Sequence, residues 1–131
     1  MTLFPDAASW RAACAGDATL AAWAGPWPVC FAIAGGADRS VFNLVDGVVR
    51  PEPGEPAFTL AAPERVWEQF LLPVPPRHHH GIFAMHYRVP DFAIQGDPLV
   101  FMQHAHIARR VLEIGKWLAL GNGLPVLAAL A

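Results

Sequence analysis

Apolar residues recur at helical spacing between residues 6 and 24, where Trp10, Ala13 and Cys14 are followed by Leu20 and Trp23. Asp6 stands where a cap belongs. Gly16-Asp17 breaks and recaps the run, so two short helices are expected. GPWP at 25–28 ends them, because proline cannot continue a helix. The period then changes. VCFAIA (29–34), SVFNLVDGVV (40–49) and AFTLAA (57–62) read as strands, with a tight turn at Asp46-Gly47. Up to this point the pattern predicts an antiparallel meander.

Helical spacing returns over 63–72, with Pro63 at the first helical position, Glu64 in the first turn, and Val66, Trp67, Phe70 and Leu71 on the apolar face. PVPPRHHHG (73–81) is a loop. A helical turn or two is expected over 81–87, and a short strand over 92–95. Asp97 then caps a long helix, about 98–120, with Pro98 at its first position. At 100° per residue, Phe101, Ala105, Ala108, Val111, Leu112, Gly115 and Leu118 share one broad face. Gln103, His106, Arg109, Arg110, Glu113 and Lys116 share the other, with Arg109 and Glu113 spaced as an i,i+4 pair. His104 falls near the middle of the apolar face. The tail LGNGLPVLAALA is apolar after a break and is expected to fold back or to dock on a partner subunit. A single domain over 1–131 is expected, with its core at about 8–118 and a tail at 119–131.

Composition narrows the classes. The chain has 131 residues, 9 Lys+Arg, 11 Asp+Glu and a formal charge of −2, so no basic field awaits nucleic acid. Hydrophobic residues make up 54% and charged residues 15%, against usual shares of about 45–50% and about 25%. Alanine inflates that count, but five Trp and eight Phe do not come from alanine. The surplus calls for a ligand cavity or a subunit interface. Cys14 and Cys30 lack CxxC spacing and read as reduced core thiols of a cytoplasmic protein. MTLFPDAASW lacks the basic and apolar regions of a signal peptide. The apolar run near the C-terminus is interrupted at Gly121, Asn122, Gly123 and Pro125, so no integral membrane insertion is expected.

The histidines invite a metal reading, which their spacing weakens. His78, His79 and His80 are adjacent, and adjacent side chains rarely converge on one ion at about 2.0–2.3 Å. His104 and His106 face apart on a helix, and HExxH is absent. No metal site and no cofactor are expected. Nucleophilic catalysis has little support, since Ser9 and Ser40 are the only serines and GxSxG is absent. His104 differs from the others: on an apolar face it needs a hydrogen-bond partner, supplied either by the core or by a ligand. His86 and Tyr87 could join it, and Asp91 or Asp97 are the carboxylates available to an acid–base pair.

The order of the pieces resembles the sterol carrier protein 2-like domain family over roughly residues 8–118. The resemblance rests on a first helix ending in WAG, a strand meander with VDG, the segment FTLAAPERVW, and GIFAMHYRVPDFAIQGD leading into the last helix. PVPPRHHHG departs from the family's usual loop, which bears on the ligand type. The resemblance implies an α/β (α+β) fold: a curved, mixed, mainly antiparallel sheet packed against helices, with a hydrophobic tunnel between them. It also implies binding of a sterol, fatty acyl chain or similar lipid, as a carrier or as a module beside an enzyme.

The residues point the same way. Trp67, Phe70, Phe83, Met85, Phe92 and Phe101, with Met102 and Trp117, supply apolar area and adaptable shape for a pocket. His104, Ala108 and Val111 on the last helix complete the expected ligand-binding set. The first expectation is therefore lipid binding or transport. A second is a small enzyme or enzyme subunit in which His104, His86 and Tyr87 act on a hydrophobic carbonyl or hydroxyl substrate. A third is an interaction protein whose apolar surplus serves a homodimer or a partner enzyme.

Overall fold

The computed structural model describes residues 4–52 and 54–121. Helices α1 (Ala7–Ala15) and α2 (Ala18–Ala24) come first, then strands β1 (Val29–Gly35), β2 (Asp38–Val45), β3 (Val48–Arg50) and β4 (Phe58–Ala62). Helices α3 (Glu64–Phe70) and α4 (Ile82–Arg88), strand β5 (Ala93–Gly96) and helix α5 (Pro98–Ala119) follow. Among the described residues the sheet has five strands in the order β3-β2-β1-β4-β5.

Caps set the helix starts. Asp6 accepts from Ser9 N–H at 3.0 Å, Asp17 from Leu20 N–H at 2.8 Å, and Asp97 from Leu99 N–H at 3.0 Å. Each satisfies a donor that the helix itself leaves open. Pro63 stands one position earlier than expected, as the N-cap of α3. Asp46 and Gly47 have φ of 53° and 73°, the doubly left-handed turn that matches the twist of a two-residue hairpin.

The meander holds through β3 and ends there. β4 lies beside β1 and runs parallel to it, while β1–β2, β2–β3 and β4–β5 are antiparallel. The reason is visible in the register. Phe31 of β1 stands opposite Phe42 of β2 on one side and Phe58 of β4 on the other. The three rings form a stacked row, with centroids 5.7 Å and 5.2 Å apart. A continued meander would have placed Phe58 beside β3, with two strands between it and Phe31.

The helices cover this row. Trp10 of α1 packs edge-on against Phe42 at 4.8 Å, and Phe101 of α5 does the same to Phe58 at 5.4 Å. The buried set among the described residues is wholly apolar. Trp10 Nε1 donates to the carbonyl of Val111 at 2.9 Å, and its ring closes on Gly115, where any Cβ would overlap it. Gly96 has φ of 101°, and a Cβ there would overlap the carbonyl of Ala57, so only glycine lets β5 turn into α5 at this point.

Helix α5 carries a wider apolar face than expected. Ile107, Ile114 and Trp117 are buried as well, while Leu118 is exposed. Arg110, assigned to the solvated face, is mostly covered and pairs with Asp17 through two hydrogen bonds, Nε to Oδ2 at 2.9 Å and Nη2 to Oδ1 at 2.8 Å. Its guanidinium also lies 4.5 Å over the Trp117 ring. The Arg109–Glu113 pair forms at 3.4 Å on the exposed side.

Two stability effects follow. Gly115→Ala gains about 1 kcal/mol of helix propensity but forces Trp10 off Val111, an overpacking cost of about 1–3 kcal/mol. We expect a net loss near 1 kcal/mol in urea denaturation, with altered Trp emission. Asp17 is held below the usual carboxylate range, first by the Arg110 hydrogen bonds and then by the Leu20 N–H. A carboxylate whose folded pKa is depressed stabilises the fold above its unfolded pKa, about 3.9. That stabilisation is lost as pH falls through the folded value. Asp17→Asn keeps the cap but loses the ion pair. It should cost about 1–2 kcal/mol at pH 7, and its stability curve should begin to approach that of the parent chain as pH falls below about 4 when denaturation is followed against pH.

Candidate functional site

An aromatic chain runs through the molecule. From the Phe42–Phe31–Phe58 row it continues at one end through Trp10 to Phe4, stacked at 4.7 Å, and on to Trp67 at 5.2 Å. At the other end it passes through Phe101 to Phe83 at 5.9 Å and Tyr87 at 6.5 Å. The residues expected to bind ligand divide between these ends. Trp67, Phe70 and Phe92 form one group, with Phe70 and Phe92 each edge-on to Trp67. All three are buried, and Trp67 Nε1 is tied to the carbonyl of Ala34 at 2.9 Å. Phe83, Phe101 and His104 belong to the other end. Met85, Ala108 and Val111 are fully buried, and Met102 is exposed.

The second end has the features of an opening. Phe83 is 42% exposed although it touches the buried Phe101. Trp27 is 71% exposed between Pro26 and Pro28. Trp27, Pro28, Gln103 and His104 line a cleft of about 380 Å³. A second cleft, of about 270 Å³, lies at the opposite end beneath Phe4, with Ile33 and Trp67 in its wall and Asp6, Asp38, Arg39 and Glu64 around it.

His104 sits where α5 bends. Its φ of −123° and ψ of 15° are not helical, and its Nδ1 bonds the carbonyl of Val100 at 2.9 Å. That carbonyl is the acceptor residue 104 ordinarily uses through its backbone N–H in an α-helix. A side chain inserted into the ladder is a recognised cause of a kink. The ring is half-buried, on the part of the helix between Gln103 and Phe101.

The other polar candidates lie apart from it. His86 and Tyr87 are exposed on α4, their rings 5.0 Å apart, and Tyr87 is 72% exposed. Neither a hydrogen bond nor a ring contact joins His86 to His104 among the described residues. Asp91 pairs with Arg65, and Asp97 caps α5. His79 Nδ1 bonds the carbonyl of Arg77 at 3.0 Å. Among the described residues no group of three or more His, Cys, Asp or Glu converges to hold a metal ion. No helix among them is long and apolar enough to cross a membrane. The tail segment LPVLAALA lies outside the described residues.

Sequence reasoning missed Trp27 and Pro28 as cleft residues because GPWP was read only as a helix stop, and Gln103 because it was assigned to the polar face of the last helix. The available signal was a tryptophan bracketed by prolines, a large apolar side chain with no periodic partner.

No family model matches the chain, and no curated protein does. Solved structures do match. Sterol carrier protein 2 is 14% identical, with 84% of this chain and 92% of that one covered at a TM-score of 0.66. A conserved hypothetical protein from Thermus thermophilus is 18% identical, with 88% and 89% covered at a TM-score of 0.61. The chain therefore has the sterol carrier protein 2-like α+β fold, with a five-stranded mixed sheet packed against helices.

Burial separates the two cysteines. It pushes the Cys14 thiol up to about 12, and it also raises the thiol of Cys30, which is only half-buried. At pH 8 iodoacetamide should label Cys30 well before Cys14 when followed by mass spectrometry. Equal rates would show that the α1 face is open in solution.

Proposed function

We propose that this domain binds an apolar small molecule such as a sterol, a fatty acyl chain or a similar lipid. It acts as a carrier or as an accessory module in the cytoplasm, alone, as a homodimer, or beside a partner enzyme. The observation that carries this reading is the start of α5. There the ring of Phe83 stands half in solvent against the buried Phe101, and Trp27, Pro28, Gln103 and His104 line a cleft at the kink of the helix. The cleft falls within the usual range for small-molecule sites, about 300–1,000 Å³. The ligand's apolar body follows the inner side of the first turns of α5, over Phe101. The fold, shared with sterol carrier protein 2, supports the same class of ligand.

Native mass spectrometry of the purified protein, with extraction and identification of co-purified lipid, tests this directly. Titration with cis-parinaric acid should give saturable binding. Phe83→Asp should weaken it at least about tenfold, because a carboxylate replaces apolar contact. Its stability should change by no more than about 1 kcal/mol, as Phe83 is partly exposed. Absence of binding to fatty acids, acyl-CoA and sterols alike would overturn the reading.

A further inference from the structure

His104 does more than bend α5. A carbonyl oxygen can only accept, so the Nδ1 that bonds Val100 must carry the proton. In the neutral imidazole that assignment leaves Nε2 as a bare lone pair. Nε2 has no protein partner among the described residues, and His104 is one of the residues that line the cleft beside Trp27. The bond to Val100 also fixes the ring's orientation, so the acceptor is held in place before any ligand arrives.

We propose that His104 is a specificity residue that selects an apolar alcohol. The ligand's hydroxyl donates to His104 Nε2, and its apolar body lies against Trp27 and Pro28 and on toward Phe101. A ketone, an aldehyde or an ether of the same skeleton offers only an acceptor, which meets the Nε2 lone pair and loses the bond. Tautomer control is the source of this selectivity. A histidine protonated on Nε2 would reverse it and favour carbonyl ends. Gln103, the other polar side chain of the cleft, carries both a donor and an acceptor and cannot discriminate by itself. The inference rests on the lipid-binding reading and names the end group that this site would take.

Two measurements on the unmodified protein decide it. Long-range ¹H–¹⁵N correlation spectra at pH 8 should show His104 protonated on Nδ1. Tryptophan fluorescence titrations should compare 1-dodecanol with methyl undecyl ether, and cholesterol with its 3-methyl ether. Each alcohol should bind about fivefold more tightly than its ether. In His104→Phe that difference should disappear. An Nε2-protonated His104, or equal binding of alcohol and ether by the unmodified protein, would overturn the inference and leave lipid binding standing. If none of the four compounds binds, both readings fall. Should the Phe variant fail to fold, the tautomer and the alcohol-to-ether ratio of the parent protein still decide.

Discussion

The arrangement depends on one row of rings. Phe42, Phe31 and Phe58 come from three neighbouring strands and stand directly opposite one another. Directly opposed aromatic side chains are among the stronger cross-strand pairs, and each adds up to about 1 kcal/mol beyond simple burial. Their common register does more than stabilise. A shift of β4 by one residue would send Phe58 and Leu60 to the other face of the sheet, because side chains alternate with period two. The parallel placement of β4, the position of Gly96 over Ala57 and the entry of α5 are all fixed once Phe58 is matched to Phe31.

Helix α5 is consequently held in two different ways. Its second half is tied to α1 and α2 by the Trp10–Val111 bond, the close approach at Gly115 and the Asp17–Arg110 pair. Its first turns rest on the Asp97 cap and on Phe101 against Phe58 and Phe83. The kink at His104 divides the two halves. The two α5 residues that line the Trp27 cleft, Gln103 and His104, belong to the portion of the helix with fewer polar ties.

Much of this could be read from residue order. Asp6, Asp17 and Asp97 announce their helices because an unsatisfied helix end has a simple chemical remedy. Asp46-Gly47 announces its turn for a similarly local reason. What could not be read were the pairings. Nothing local to β4 says that it will cross to β1, since that choice is made by rings far apart in the chain, Phe31 and Phe58. Arg110 looked solvated because the helical wheel shows only α5 and not Asp17 beside it. Aromatic content is visible in a sequence, but how a ring divides its area between core and cleft depends on its tertiary neighbours: Trp67 is buried against Phe70 and Phe92 and also stands in the wall of the cleft beneath Phe4. His104 was legible as an oddity on an apolar face, while its kink and its bond to Val100 were not.

The contrast among the ring nitrogens explains why His104 carries the functional argument and the tryptophans do not. Trp10 and Trp67 each bring a single polar N–H into the interior, and each gives it to a backbone carbonyl, of Val111 and of Ala34. Once those bonds form, both side chains are chemically spent, and what remains is surface for packing. Trp117 lacks even that, since its buried Nε1 has no partner among the described residues, and its ring lies instead beneath Arg110. Histidine alone has a second nitrogen. His104 spends the first on Val100 as the tryptophans spend theirs, and the second has no protein partner among the described residues, in a side chain whose residue lines the cleft. In a domain whose described buried residues are all apolar, such an oriented acceptor is what the proposed alcohol would need to be told from its ether.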